Sequence, residues 1–385
     1  MDTRHLTARR TKGVTPVLEA HVTDLDVRAY TVPTDHPEAD GTLAWDHTTM
    51  VVVVLTAETR DTKTIGLGYT YAPVACANLV EELLAPVVVS TSPLDVSRTF
   101  AAMRSQARNA GYPGIAACAV SAVDTALWDL RAGLLGLPLH RLLGAVRDRV
   151  PAYGSGGFTT YTDEELQTQL NGWLEAGARW VKIKIGESAG QDTDRDLARV
   201  ALAKDIVAGR AELFVDANGG YSVAQAVRIG RALERLDVRW FEEPVSSDDL
   251  VGLAEVRGRL DVEVAAGEYG YDATYFRRMC EARAVGCLQL DATRCGGITG
   301  WFRGAAVAAS HGLDVSVHCA PAISLAAAAA TPRLRHQEWF HDHVRVESML
   351  LEGTRTMVHG DIELPCSRGN GLTLRNGDSD RFRVL

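Results

Sequence analysis

The stretch FVDANGG, residues 214–220, places an acid, Asp216, directly after a short apolar run. Two later runs end in the same way, with Glu242 in WFEEPV and Glu268 in VAAGEYG. The interval is 26 residues in both cases (242 − 216 and 268 − 242), the length of one strand-plus-helix repeat. Acids at the ends of successive strands meet at the C-terminal mouth of a β/α barrel, so these three predict a divalent-cation site there.

Strand-like and helical segments alternate on both sides of this stretch. Strands are predicted at residues 152–154, 180–185, 212–216, 239–242, 264–268, 287–291 and 315–318. Seven or eight such repeats without a break in composition predict an α/β fold built as a β/α barrel, rather than an open doubly wound sheet.

A smaller α+β domain is predicted before the barrel. Residues 48–57 and 64–71 are rich in β-branched and aromatic residues and predict strands, whereas residues 33–46 are crowded with Pro, Gly and Asp and predict a loop. Residues 117–136 predict a buried, alanine-rich helix. After about residue 344 we expect strands that return to this domain. The predicted boundaries are 1–16 for a polar tail, 17–148 for the α+β domain, 149–345 for the barrel and 346–385 for the C-terminal segment.

Composition and charge restrict the partners. A net charge of −9 and a pI of about 5.7 argue against a nucleic-acid surface or an anionic membrane. No apolar run approaches the roughly 18 residues of a transmembrane helix, and the polar N-terminus lacks the apolar core of a signal peptide. Seven scattered cysteines without a Cys-x-x-Cys pair indicate reduced thiols and a cytoplasmic location.

The segment VKIKIG, residues 181–186, carries two lysines within a strand. Because a strand alternates faces, Lys182 and Lys184 point the same way, opposite to the β-branched residues between them. An edge strand with solvated lysines would give the same pattern, but three acids in register favour the barrel interior. A lysine near a cation has a lowered pKa and can act as a general base.

The three carboxylates would repel one another unless a cation neutralised them. Oxygen ligands of this kind suit Mg²⁺ or Mn²⁺ better than Zn²⁺. The 26-residue register favours Glu242 over Glu243 as the ligand. Asn218 shares a face with Asp216, within reach of a substrate or a lysine.

Two further strand ends carry a carboxylate and an imidazole. Asp291 ends the strand in LQLDATRCGG and His318 ends the next one in VSVHCAPAIS. A carboxylate beside an imidazole fixes its tautomer and raises its basicity, which predicts an acid/base dyad. Glu338 stands where an eighth strand should end, beside the unassigned HDH of residues 341–343.

The sequence resembles the enolase superfamily, and within it the mandelate racemase subgroup. The resemblance rests on motifs that occur in the family's order along the chain: KxK, D-x-N, E-E-P, G-E, an Asp and a His. The resemblance covers nearly the whole chain. It implies a modified TIM barrel, (β/α)7β, with a capping domain built from the N-terminal region and the C-terminal return. The implied roles are Mg²⁺ ligands for Asp216, Glu242 and Glu268, base for Lys184, carboxylate contacts for Lys182 and Glu338, and opposite-face acid/base for His318 with Asp291.

The resemblance also implies the class of reaction. Removal of the proton beside a substrate carboxylate gives an enediolate, from which either a β-hydroxyl leaves or the other face is reprotonated. The polar residues of the expected cap loop favour dehydration of a sugar acid to a 2-keto-3-deoxy acid over racemisation or epimerisation of a 2-hydroxy acid. A non-catalytic metal-stabilised binding protein is the third alternative. The implied partners are a small-molecule carboxylate and further copies of the chain, often eight in this family.

Overall fold

Three long antiparallel strands open the structure, a computed structural model that describes residues 19–59, 62–375, 377 and 379–385. They are β1 His21–Ala39, β2 Ala44–Glu58 and β3 Lys63–Tyr71, in the spatial order β1-β2-β3. The expected polar tail, residues 1–16, lies outside the described residues.

Helices cover one face of this sheet. They are α1 Ala75–Leu79, a π-helical turn Val80–Leu84, α2 Ala85–Val88, α3 Val96–Gln106, a 3₁₀ turn Ala107–Ala110, α4 Ile115–Leu134 and α5 Leu139–Leu142. Helix α4 packs closely on β3 because β3 carries Gly66 and Gly68 at the contact. A Cβ at Gly68 would stand 2.1 Å from the carbonyl oxygen of Ala122, so a larger residue would push the helix away.

The expected loop at residues 33–46 is wrong. Most of it is strand, because β1 continues to Ala39 and β2 already begins at Ala44. The connection is a tight turn in which Asp40 Oδ1 accepts hydrogen bonds from the backbone N–H groups of Thr42 and Leu43. The register changes between Pro33 and Glu38, and this irregularity accommodates the proline within a paired strand. The backbone hydrogen bonds between β1 and β2 therefore outweigh the loop-like composition of residues 33–46.

Eight parallel strands form a closed barrel, because β11 pairs with β4. The strands are β4 Arg149–Gly156, β5 Trp180–Lys184, β6 Glu212–Asp216, β7 Val238–Glu242, β8 Glu263–Ala266, β9 Cys287–Leu290, β10 Asp314–Val317 and β11 Leu334–Phe340. The helices are α6 Asp163–Glu175, α7 Glu187–Gly190, α8 Thr193–Val207, α9 Val223–Arg235, α10 Leu250–Arg257, α11 Ala273–Glu281, α12 Gly297–Ser310, α13 Pro321–Ala329 and α14 His341–Leu350. The predicted capped (β/α)7β barrel is confirmed.

Side chains fill the inside of the barrel in layers. Tyr153, Phe214 and Trp240 belong to one buried cluster on β4, β6 and β7. Two residues farther along β6 and β7, on the same face, come Asp216 and Glu242. The strand period therefore places an aromatic floor directly below the carboxylates.

The C-terminal segment contacts both the barrel and the first sheet. Its strands are β12 Leu351–Glu352, β13 Met357–Val358, β14 Asp361–Glu363 and β15 Thr373–Leu374, followed by a 3₁₀ turn Asp380–Phe382. Strand β14 pairs with the start of β4, and Arg383 forms a bridge with Tyr30 of β1. The strand-like start expected near residue 344 is wrong, because that stretch belongs to α14. Among the described residues, no helix is both long and apolar enough to span a bilayer.

Candidate active site

Three carboxylates converge at the C-terminal mouth of the barrel. Asp216 is the last residue of β6, Glu242 the last residue of β7, and Glu268 follows the end of β8 by two residues. Asp216 and Glu242 are register partners on adjacent strands. All three are buried, and one oxygen of each lies within 4.8 Å of the others. The strand ends therefore bring together the three acids found at equal spacing in the sequence.

The electrostatics of this cluster call for a cation. Burial raises the pKa of Glu242 to about 7, even though Lys182 beside it acts in the opposite direction. Glu268 Oε2 is buried, and no described residue donates a hydrogen bond to it. A buried carboxylate oxygen without a donor is costly. Three carboxylate ligands, without sulfur or nitrogen, fit Mg²⁺ or Mn²⁺.

Both lysines of β5 point into the barrel, which excludes a solvated edge strand. Lys182 is fully buried, and its Nζ donates to Glu242 Oε1 at 2.6 Å and lies 2.8 Å from Glu338 Oε1. Lys184 Nζ donates to Asp216 Oδ2 at 2.5 Å. The two ammonium groups therefore lie against the carboxylates of the cluster.

The expected lowering of the Lys184 pKa depends on a bound cation and stays a prediction. Burial alone would lower the pKa of the Lys184 ammonium, but the adjacent Asp216 carboxylate more than offsets it, and the net direction is upward. A divalent cation on the carboxylates would compete for this negative charge and so reduce the raising effect.

The structure pairs Asp291 with His318. Asp291 follows β9 and His318 follows the adjacent β10, and His318 Nδ1 lies 2.7 Å from Asp291 Oδ2. Burial would raise the pKa of Asp291, but the hydrogen bond from His318 and the charge of that imidazole hold it below its ordinary value. The other ring nitrogen, Nε2, lies 3.3 Å from Glu268 Oε2 and so faces the carboxylate cluster. An imidazole held in this way can exchange a proton at Nε2.

Glu338 of β11 joins the site from the other side. Its Oε1 accepts a hydrogen bond from Ser155 Oγ at 2.5 Å, and its Oε2 accepts from the backbone N–H of Cys319 at 2.8 Å. Burial would raise the pKa of Glu338, but Lys182 keeps it well below the ordinary value. Glu338 is therefore a fixed anion beside that lysine.

Asn218 lies at the edge of the cluster. Its backbone N–H donates to Asp216 Oδ1 at 2.9 Å, and its positive φ of 44° turns the chain after β6. Its side-chain Oδ1 is buried and accepts no hydrogen bond from a described residue. Asn218 and Glu243 line a cavity of about 630 Å³ at the mouth of the barrel. A small molecule in this cavity would reach the amide of Asn218.

Sequence reasoning missed two side chains that hold the carboxylates. Arg294 Nη1 lies 3.1 Å from Glu268 Oε1, and its Nε lies 3.6 Å from Asp291 Oδ2. Trp240 Nε1 donates to Glu242 Oε2 at 2.8 Å. The signal for Trp240 was its position two residues before Glu242, on the same face of one strand. The signal for Arg294 was its position three residues after Asp291.

The unassigned HDH of residues 341–343 joins the barrel to the first sheet. The contacts are His341 Nε2 to Asp35 Oδ2 at 3.0 Å, Asp342 Oδ2 with Thr48 Oγ1, and the stacked rings of His343 and Tyr71 with centroids 3.5 Å apart. These residues therefore position the cap over the site.

Fold and site together define a capped-barrel enzyme with a carboxylate centre for a divalent cation. Residues 27–144 match the family model of the mandelate racemase / muconate lactonizing enzyme N-terminal domain, and residues 165–378 match that of the enolase C-terminal domain-like family. The chain belongs to the mandelate racemase / muconate lactonizing enzyme family of the enolase superfamily, and it is an enzyme.

Individual relatives agree with this assignment. The L-talarate/galactarate dehydratase of Salmonella typhimurium is 30% identical, over 78% of this chain and 77% of its own length. A mandelate racemase/muconate lactonizing enzyme-like protein from Rubrobacter xylanophilus superposes with a TM-score of 0.90 at 43% identity, covering 94% of this chain and 100% of its own. A racemase from Streptomyces coelicolor A3(2), solved with bound magnesium, has a TM-score of 0.87 at 27% identity, with the same coverage.

Proposed function

We propose that the protein removes the α-proton of a small-molecule carboxylate with the help of Mg²⁺, and that it dehydrates a sugar acid to a 2-keto-3-deoxy acid. The observation that carries this proposal is the placement of Lys184 and His318 against one carboxylate cluster, from strands β5 and β10. The similarity to a talarate/galactarate dehydratase supports the dehydration outcome.

Asp216, Glu242 and Glu268 would hold the cation, and Mn²⁺ fits the same donors. Bound there, the cation supplies positive charge against the negative charge that develops on the substrate carboxylate. Lys182 donates a hydrogen bond to that carboxylate. Glu338 holds Lys182 in place and lies beside the second oxygen of the substrate carboxylate. Asn218 contacts the substrate from the edge of the cavity.

Lys184 Nζ takes the proton from the α-carbon, and its lone pair becomes the new N–H bond. His318, protonated at Nε2, then gives its proton to the β-hydroxyl, and the C–O bond breaks to release water. The enol that remains tautomerises to the 2-keto acid. Asp291 keeps His318 in the required tautomer throughout.

Racemisation or epimerisation of a 2-hydroxy acid is the second candidate. Two acid/base groups from well-separated strands can serve opposite faces of one carbon, so His318 can return a proton to the face opposite Lys184. An aromatic chain also favours this candidate: Trp45 packs on Phe158 at 5.6 Å, Phe158 on Phe340 at 5.7 Å, and the Phe340 ring lies 5.9 Å from Lys184 Nζ. The polar cap loop that favoured a sugar acid is instead largely strand.

Incubation in D₂O with Mg²⁺ and a library of acid sugars and 2-hydroxy acids separates these outcomes by ¹H NMR. A 2-keto-3-deoxy product identifies a dehydratase, and deuterium at an inverted α-carbon identifies a racemase or epimerase. EDTA should stop either reaction and Mg²⁺ should restore it. The absence of exchange with every acid would contradict the proposal and favour a binding protein, and indifference to chelator would refute the metal assignment.

Three further proposals concern the whole protein. We propose the functional division into cap (17–148), barrel (149–345) and C-terminal segment (346–385), which the contacts of His341 and His343 with the cap support. The family resemblance supports a homo-oligomer, with an octamer as the candidate assembly, which light scattering after size-exclusion chromatography would test. The seven free cysteines support a cytoplasmic location.

A further inference from the structure

A second group of potential metal ligands lies at the seam between cap and barrel. Asp35 and Glu38 belong to β1, and His341 is the first residue of α14. One ligand atom of each lies within 4.8 Å of the others. The group is separate from the Asp216 cluster, because the two share no residue.

The buried carboxylate of Glu38 is a second observation that points to a ligand, independent of the distances within the group. The residue is fully buried, and its Oε2 accepts a hydrogen bond from Trp45 Nε1 at 2.8 Å. Its Oε1 is also buried, and none of the described residues donates to it. A buried carboxylate oxygen without a donor is destabilising unless a ligand or a proton satisfies it.

The surrounding charges point to a cation as that ligand. The carboxylates of Asp342 and Asp35 both act unfavourably on the anion of Glu38. Arg345 supplies positive charge, but its guanidinium is engaged with Asp342 Oδ1 at 2.7 Å. Asp35 and His341 line a cavity of about 410 Å³ that opens to solvent.

We propose that Asp35, Glu38 and His341 bind a second divalent cation that fastens the β1–β2 end of the cap to the mouth of the barrel. Two carboxylates and one imidazole suit Mn²⁺ or Zn²⁺ better than Mg²⁺. The site is structural. It joins β1, which carries Glu38, to His341, the residue directly after β11, and β11 carries Glu338. This inference does not depend on which reaction the enzyme catalyses.

Mn²⁺ binding by the full-length protein tests the proposal, because the ligands Asp35, Glu38 and His341 include a nitrogen, whereas Asp216, Glu242 and Glu268 offer only oxygens. Titration followed by EPR should count two bound Mn²⁺ per chain, and pulsed EPR should show ¹⁴N coupling from a coordinated imidazole. His341→Gln should bind one Mn²⁺ and lose the ¹⁴N coupling, whereas Asp216→Asn should keep the coupling. His36→Gln is the matched control, because His36 lies at the same seam but pairs with Glu165 at 3.3 Å.

A single Mn²⁺ per wild-type chain would overturn the proposal and would indicate that Glu38 is satisfied by a proton. Retention of two Mn²⁺ in His341→Gln would overturn it equally. Circular dichroism establishes that each variant is folded, and Asp35→Asn, expected to weaken the second Mn²⁺ at least tenfold, replaces His341→Gln if that variant does not fold.

Discussion

At the scale of single residues, the proposed base offers the most direct test. Lys184→Ala should reduce α-proton exchange from one substrate configuration by roughly 100- to 10,000-fold, because a positioned general base contributes about this much. The fold should persist, because Asp216 keeps Lys182 Nζ at 3.8 Å and the backbone N–H of Asn218 as partners. Deuterium incorporation followed by ¹H NMR measures the effect.

Lys204→Ala is the matched control for this variant, because Lys204 lies on the outside of α8 and pairs with Asp237 at 3.0 Å. It should keep the wild-type rate. Unchanged exchange in Lys184→Ala would remove Lys184 from the role of base.

Residues whose positions follow from the strand period could be predicted from the sequence. The alternation in VKIKIG places Lys182 and Lys184 inside, and the 26-residue interval brings the three acids together. Arg294 and Cys319 could not be predicted in this way, because both lie on loops after the strands, where the backbone follows no fixed period. Only the structure shows that Cys319 Sγ lies 3.3 Å from His318 Nε2.

At the scale of elements, helix α4 is tied to its neighbours through one buried acid. Asp129 accepts hydrogen bonds from the backbone N–H groups of Leu67 at 2.7 Å and Asn370 at 2.5 Å, and so links α4 to β3 and to the C-terminal segment. Asp129→Ala should lower the free energy of unfolding by about 1–3 kcal/mol, because two buried donors lose their acceptor. Urea denaturation followed by circular dichroism measures this change.

Asp205→Ala, at an exposed position of α8, should leave the urea midpoint nearly unchanged and serves as the control for Asp129→Ala. Equal midpoints for Asp129→Ala and the wild type would show that solvent or backbone rearrangement satisfies the two donors.

Element types were predictable where hydrophobic periodicity is strong, as in α4 and the barrel strands. Only the far end of the β1–β2 hairpin, residues 33–46, was missed, because it is polar and contains proline, while its stability comes from pairing with a partner strand. Glu38, which looked like a solvated loop residue, is buried beneath Trp45. Long-range pairing of this kind leaves no local signature in the sequence.

At the scale of the whole molecule, we expect the stability of the contact between cap and barrel at Glu347 to depend on pH. It accepts hydrogen bonds from Tyr69 Oη at 2.5 Å and from the backbone N–H of Ala322 at 3.1 Å. Burial raises its pKa to about 8. The folded state therefore holds a proton that the unfolded state releases near its ordinary pKa of about 4.5, so this group's contribution to stability is lost as the pH rises through about 8.

Glu347→Gln should flatten this dependence. The variant should be less stable than the wild type at pH 5, because its amide NH₂ cannot accept from Ala322, and the difference should shrink towards pH 9. Thermal unfolding across this range measures the effect, with Glu352→Gln, at an exposed position, as the control. Parallel curves for Glu347→Gln and the wild type would contradict the assignment.

The order of the strands around the barrel separates two tasks. Counted from β4, the three acids lie on or just after the third, fourth and fifth strands of the barrel. The two lysines lie on the second strand, the imidazole follows the seventh, and Glu338 lies on the eighth. In the proposed mechanism, one arc of the ring holds the cation and the complementary arc transfers protons. Protein engineering can therefore change the residues of the second arc and of the cap above it to obtain a new reaction, while the three acids stay unchanged.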